Sequence, residues 1–305
     1  MSEKAKFCGY VALLGRPNAG KSTLLNALVG QKVAGVSHKP QTTRNRILGV
    51  VTEPEHQILI LDCPGIHSTK GMPKLNSSMM REVYGVLEEA DLFCYLVDIT
   101  RGLIESDLRY LAMIKDRTAA VPFIFLSKSD KLRRKELQEA VAQTKEALEP
   151  MGWDDKVHVL SSKRSESLDQ FKSLVGKALP EGPFLFPEDE ITDRSSSFLV
   201  GELIRESMFR SLGREIPYHA AAVVESMERQ SKLTKIQAKI VVARSSQKGI
   251  VLGKRGAKIK EIGLDSRQKI ESLLQRKVFL DLRVTVESGW YQDRTSILEL
   301  TELEN

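Results

Sequence analysis

The run Gly15-Arg16-Pro17-Asn18-Ala19-Gly20-Lys21-Ser22 has the spacing G-x-x-x-x-G-K-S, the composition of a loop that holds phosphate. Its glycines let backbone N–H groups wrap an anion, Lys21 can reach the β/γ oxygens, and Ser22 can bind Mg²⁺. An apolar run precedes the loop, and Thr23, Leu24, Leu25, Ala27 and Leu28 continue it as a helix whose dipole also favours the anion. Asp62-Cys63-Pro64-Gly65 follows a second apolar run at 58–61. Alone, D-x-P-G is only a turn. Downstream of a phosphate loop, its carboxylate can reach Mg²⁺ through water and its glycine N–H can meet a terminal phosphate.

Ser127-Lys128-Ser129-Asp130 comes after the apolar run 121–126. The Asp130 carboxylate can accept from N1–H and the 2-amino group of guanine, whereas adenine presents it with the wrong edge. The Lys128 stem can cover the base. Ser161-Ser162-Lys163, after the run 157–160, can give a backbone N–H to the guanine oxygen. Each short motif is weak by itself, and specificity comes from their order after successive strands.

A different chemistry is written in the last third. Gly253-Lys254-Arg255-Gly256 is a G-x-x-G loop between two helical stretches, where two glycines permit close approach and two cations meet phosphates. From 244 to 260 there are six basic residues (Arg244, Lys248, Lys254, Arg255, Lys258, Lys260) and no acidic one. A solvated basic face would look similar, but the loop at its centre favours single-stranded nucleic acid. Base choice is expected from an apolar groove beside Ile240, Ile250 and Ile259.

The elements that must position these residues follow from hydropathy. The runs 9–14, 58–61, 92–98, 121–126 and 157–160 read as buried strands, with 47–51 as an additional edge strand. Amphipathic segments between them imply a mostly parallel sheet with helices on both faces and ligands at the carboxyl ends of the strands. At 181–190, two prolines, a glycine and an acid run mark a linker. The expected division is therefore a first domain at 1–180, a linker at 181–194 and a second domain at 195–305. In the latter, an i+4 stripe predicts an amphipathic helix over 195–212. Strands are predicted near 220–225, 236–242 and 278–286, and helices near 247–252 and 257–275. That order, helix-strand-strand-helix-helix-strand, makes a small α+β domain.

The composition agrees. The chain has 305 residues, 41% hydrophobic and 28% charged, which suits folded cores and a two-domain length, not disorder. Three cysteines at no metal-ligand spacing (Cys8, Cys63, Cys94) argue against a disulfide framework or a zinc module and fit a reducing cytosol. No export signal or membrane-spanning run is visible. The net charge of +6 is compatible with nucleic acid or an anionic surface. His38, His67, His158 and His219 are dispersed and read as core or surface residues. Trp153, Trp290 and Tyr291 read as packing, the last two with an RNA contact as the rival assignment.

With these motifs in place, the first domain resembles translation-factor-type GTPases, and nearly the whole chain resembles the Era family, in which a P-loop GTPase domain precedes a type II KH domain. Gln41-Thr42-Thr43-Arg44 is similar to that family's first switch and Asp62-Cys63-Pro64-Gly65-Ile66-His67 to its second. The resemblance implies GTP and GDP as ligands, Mg²⁺ bound by Ser22, Asp62 and either Thr42 or Thr43, and Lys21, Gly65 and a switch threonine serving hydrolysis. It further implies binding near the 3′ end of small-subunit ribosomal RNA, assistance to 30S assembly and 16S rRNA maturation, a monomer, and a cytoplasmic location compatible with peripheral contact at the inner membrane. Four departures or variations stand out. Cys63 replaces threonine, Ser127 replaces the asparagine of N-K-x-D, and Arg255 stands where the family has G-K-G-G. Ile66, lacking a hydrogen-bonding group, stands where Ras-like proteins carry the water-orienting glutamine, so intrinsic hydrolysis is expected to be slow. Related GTPases with an apolar residue there use K⁺ bound by the loop asparagine, which Asn18 matches. The rivals are an RNA-binding scaffold that holds nucleotide without turnover, and a tRNA-modifying GTPase, disfavoured because no further catalytic domain is visible.

Overall fold

Apolar runs that alternate with amphipathic stretches form a parallel sheet, because each crossover must return across a face of the sheet. The computed structural model describes residues 5–37, 46–65, 73–118, 121–213 and 216–292. The chain runs β1 (Phe7–Gly15), α1 (Lys21–Val29), β2 (Ile47–Thr52), β3 (His56–Asp62), α2 (Pro73–Glu89), β4 (Leu92–Asp98), α3 (Glu105–Arg117), β5 (Phe123–Ser127), α4 (Arg134–Leu148), β6 (Val157–Val159) and α5 (Ser165–Gly176). It continues with α6 (Ser196–Ser211), β7 (Ala220–Arg229), β8 (Thr234–Val242), α7 (Ser245–Leu252), α8 (Ala257–Leu274) and β9 (Val278–Val286). Two compact units result: Met1–Gln31 with Arg46–Ile66 and Arg81–Asp193, and Lys32–Asn45 with His67–Met80 and Arg194–Asn305.

The first unit holds a six-stranded sheet in the order β2-β3-β1-β4-β5-β6. All neighbours are parallel except the edge strand β2, which pairs antiparallel with β3. Since β1 lies between β3 and β4, the loop after β1 opens at the point where the winding reverses, the usual place for a ligand in such sheets. Val11, Ala12 and Leu13 of β1, Ile58 and Leu59 of β3, and Leu24 and Leu25 of α1 are all buried in the core. Gly49 of β2 lets α1 lie close, since a Cβ there would collide with the Leu25 side chain.

The proline- and acid-rich stretch read as a linker is hydrogen-bonded to the first unit as far as Thr192. The Val50 N–H donates to the Ile191 carbonyl at 2.9 Å and Thr192 Oγ1 to the Leu48 carbonyl at 2.6 Å, so the edge strand β2 is covered. The buried Gln57 side chain accepts from the N–H groups of Leu185 and Phe186 and donates to the Phe186 carbonyl. His158 of β6 is half-buried, its ring 5.5 Å from that of Phe125, in keeping with a packing role. His38 and His67 lie outside the described residues.

The second unit has the sheet order β7-β8-β9, with β7 and β8 antiparallel and β8 and β9 parallel. Helix α6 packs on α8 and β7. Ser195 caps α6 by accepting from the Phe198 N–H at 3.1 Å. Where the sequence predicts an amphipathic helix, α6 buries charged residues as well as apolar ones: Glu202, Arg205 and Glu206 are all buried. Their charges are matched locally. Arg205 donates to Glu202 at 2.9 and 2.5 Å, and Glu206 accepts from Lys32 Nζ, the Val36 N–H and Lys269 Nζ. Beyond β9, Trp290 and Tyr291 are buried against Ala221, Val241 and Ala243, and the Trp290 indole donates to the His219 carbonyl at 3.2 Å. They are packing residues.

Candidate nucleotide site and nucleic-acid interface

The phosphate loop takes its shape from residues in left-handed backbone conformations. Gly15 has φ 134° and Gly20 φ 103°, and a Cβ on Gly15 would collide with the Leu96 carbonyl oxygen. Asn18 is also left-handed, at φ 65°. Lys21 opens α1 and is buried, its Nζ donating to the carbonyls of Gly15 at 3.0 Å and Arg16 at 3.2 Å. Burial pushes its pKa below the ordinary 10.5, with the Asp62 charge opposing that shift. Phosphate oxygens are better partners for this ammonium than carbonyls, so the loop is built to release Lys21 to an anion.

Asp62 ends β3, next to β1, and accepts from Ser22 Oγ at 2.5 Å. A hydroxyl and a carboxylate, both oxygen groups of the kind that suit a hard cation, therefore face each other. Gly65 lies against the loop: a Cβ there would be 2.8 Å from the backbone of Pro17. This close approach is what a backbone N–H needs to reach a terminal phosphate. Cys63 is buried beside it. Gln41, Thr42, Thr43 and Arg44 of the first switch and Ile66 of the second lie outside the described residues.

The base-reading strand is fastened to this loop. Ser127 Oγ lies 2.5 Å from the Ala19 carbonyl and 3.1 Å from that of Val97. Lys128, at φ 60°, donates to the Asn18 carbonyl at 2.6 Å and to Asp98 at 2.5 Å. Burial would raise the Asp98 pKa, but hydrogen bonds from Lys128 and Thr100 outweigh it and hold the carboxyl below its usual range. Asp130 accepts from Ser161 Oγ at 2.9 Å and pairs with Lys163 at 3.0 Å. Desolvation raises its pKa, yet these two partners prevail and hold the carboxyl below its usual range. The Ser161 N–H donates to Ser167 Oγ and the Lys163 N–H to Ser161 Oγ. No motif marks Asp98, although it ends the buried strand β4 as Asp62 ends β3 and pairs with Lys128.

In the second unit, α7 and α8 meet at the G-x-x-G loop. Gly253 has φ 72°, and a Cβ there would stand 2.6 Å from that of Lys258. Gly256 has φ 78°, and Arg255 is also left-handed, at φ 53°. Lys254 and Arg255 are exposed and, among the described residues, make no ion pair, whereas Lys258 pairs with Glu261 at 2.7 Å. Arg244, before α7, is exposed and Lys248, within it, is half-buried. Ile250 is exposed beside the loop and Ile259 half-buried, but Ile240 is fully buried in β8. The expected groove therefore loses Ile240, whose place in the strand alternation turns it inward, to the core.

Known proteins match both parts of the chain. A family model described as a 50S ribosome-binding GTPase matches residues 10–128, and one described as a KH domain matches residues 215–291. GTPase Era of Stenotrophomonas maltophilia (strain K279a) is 42% identical over 97% of this chain and 98% of its own. GTPase Era of Pseudomonas aeruginosa (strain LESB58) is 40% identical, covering 96% and 94%. Among solved structures, a variant of Aquifex aeolicus Era bound to GDP and aluminium fluoride is 34% identical with a TM-score of 0.89, covering 96% and 98%. Era in complex with MgGDPNP and nucleotides 1506–1542 of 16S ribosomal RNA is 33% identical with a TM-score of 0.90, covering 97% and 98%.

Proposed function

The chain belongs to the Era family of GTPases, and from that premise we propose that it is a Mg²⁺-dependent GTP-hydrolysing switch that binds single-stranded RNA at the 3′ end of 16S rRNA and assists assembly of the 30S subunit. The observation that carries this reading is the fastening of Ser127 and Lys128 to the carbonyls of Ala19 and Asn18, which joins a guanine reader to a phosphate loop in a chain that also bears a KH loop.

Ser22 and Asp62 would hold Mg²⁺, which when bound offsets charge on the phosphate oxygens. Lys21 moves from the Gly15 and Arg16 carbonyls to the phosphates. The Gly65 N–H would orient the terminal phosphate, and Thr42 or Thr43 would be the further ligand of the metal. Ile66 gives water no hydrogen-bonding partner, so turnover without an activator is slow. Asn18 is the proposed ligand for K⁺. Lys254 and Arg255, with Arg244, Lys248 and Lys258, meet the RNA backbone between Gly253 and Gly256. The domain division follows the sequence reading: a GTPase domain at 1–180, a connecting segment at 181–194 and a KH domain at 195–305. Among the described residues no helix is long and apolar enough to cross a membrane. A monomer in the cytoplasm, with any inner-membrane contact peripheral, completes the proposal.

Multiple-turnover phosphate release from GTP, with and without an RNA carrying the 16S 3′ end, is the test. Slow release that rises with RNA is expected. Tight GDP binding with no turnover in either condition would leave only an RNA-binding scaffold.

A further inference from the structure

Asp107 is fully buried in the first turn of α3, yet only one of its oxygens serves that helix. Oδ2 accepts from the Ile104 N–H at 3.0 Å. Oδ1 accepts from Arg16 Nε at 2.9 Å and from the Tyr95 hydroxyl at 2.9 Å. Arg16 also reaches the Gly102 carbonyl at 3.4 Å, so its guanidinium is anchored to the start of α3 at two points. The backbone of the same arginine faces the phosphate site: its carbonyl accepts from Lys21 Nζ at 3.2 Å and from the Ala19 N–H at 3.2 Å. Anything that fixes the Arg16 side chain therefore fixes the peptide against which Lys21 rests.

We infer that Asp107 is a positioning residue for the phosphate loop, acting on bound nucleotide through Arg16; this rests on the reading of residues 15–22 as a GTPase phosphate loop. A loop curved in advance loses less freedom when phosphate arrives, so the buried carboxylate contributes to nucleotide affinity without touching the nucleotide. Tyr95 separates this role from simple core stability. It contacts the same Asp107 oxygen from the buried strand β4, but its hydroxyl does not hold the loop.

The experiment compares GDP affinity by calorimetry, and melting temperature, in the full chain and in Asp107→Asn, Arg16→Met, the double variant and Tyr95→Phe. Asp107→Asn and Arg16→Met should each weaken GDP binding about tenfold, the double variant no further than either, as befits directly coupled groups. Tyr95→Phe should lower the melting temperature and leave GDP affinity within about twofold. The inference is overturned if the two single effects add, if Tyr95→Phe weakens GDP as much as Asp107→Asn, or if Asp107→Asn changes only the melting temperature. Should Asp107→Asn not fold, unchanged GDP affinity in Arg16→Met overturns it alone. Failure of the phosphate-loop reading would look different: the unaltered chain would not bind GDP.

Discussion

The Ser127 hydroxyl and the Ala19 carbonyl stand 2.5 Å apart, so the strand that leads to Asp130 is tied to the loop at residues 15–22. The serine hydroxyl ties the loops together through the carbonyls of Ala19 and Val97. Ser127→Ala should cost about 1–3 kcal/mol of stability, the usual loss when buried polar groups lose a partner. Urea unfolding measures that loss, and stopped-flow release should show GDP leaving faster. Unchanged release would mean that the tie does not hold the loop.

Lys21 makes nucleotide binding sensitive to alkaline pH. Its pKa in the folded chain is lowered by burial, so between that value and the ordinary 10.5 the unfolded chain binds more protons and stability rises with pH. Phosphates beside Nζ raise the pKa again. GDP binding should therefore take up protons in the pH range between the lowered value and that of the complex, and its affinity should fall as pH rises through that range. Calorimetry in buffers of different ionisation enthalpy reads the uptake, and Lys21→Ala should abolish both it and GTP hydrolysis.

Asn18 is the proposed K⁺ ligand, and hydrolysis should be faster in potassium than in sodium. Because its φ is 65°, alanine would add strain at this position, and Asn18→Gly is the cleaner variant. It should equalise the two salts. A potassium preference that survives in Asn18→Gly would remove the side chain from that role.

Arg255 occupies a left-handed conformation, which glycine adopts without a Cβ penalty. Arg255→Gly should therefore stabilise the chain by about 1 kcal/mol, the cost of that conformation for a residue with a Cβ. It should also weaken single-stranded RNA binding and reduce the slope of log affinity against log salt by about 0.7, one phosphate contact. Denaturation and binding across a salt series check the two halves. Equal RNA affinity in both forms would count against a phosphate contact.

Periodicity locates the elements well where their ends are punctuated. The predicted strands at 92–98 and 278–286 coincide with β4 and β9. The predicted strand at 121–126 begins instead at Phe123, after a proline that cannot donate to a ladder, and runs on to include Ser127. The phosphate and base motifs are legible because their chemistry is local in sequence. The anchors behind them are not. Asp107 lies 91 residues from Arg16, and nothing in its neighbourhood announces that partner. The burial of Glu206 is not written in its own helix, because Lys32 and Val36, which satisfy it, come from far upstream. Ile240 reads as a groove residue because alternation tells which residues share a face and not which face is covered.

The rings of Trp290 and Tyr291, beyond the last strand, belong to the core of the RNA-binding unit. A fragment cut after β9, as a map of strands would suggest, would bare Ala221, Val241 and Ala243 and deprive the His219 carbonyl of its indole donor. Such a piece would offer a fresh apolar surface to its own copies and invite aggregation. Any excised or fused version of this unit should therefore extend past Tyr291.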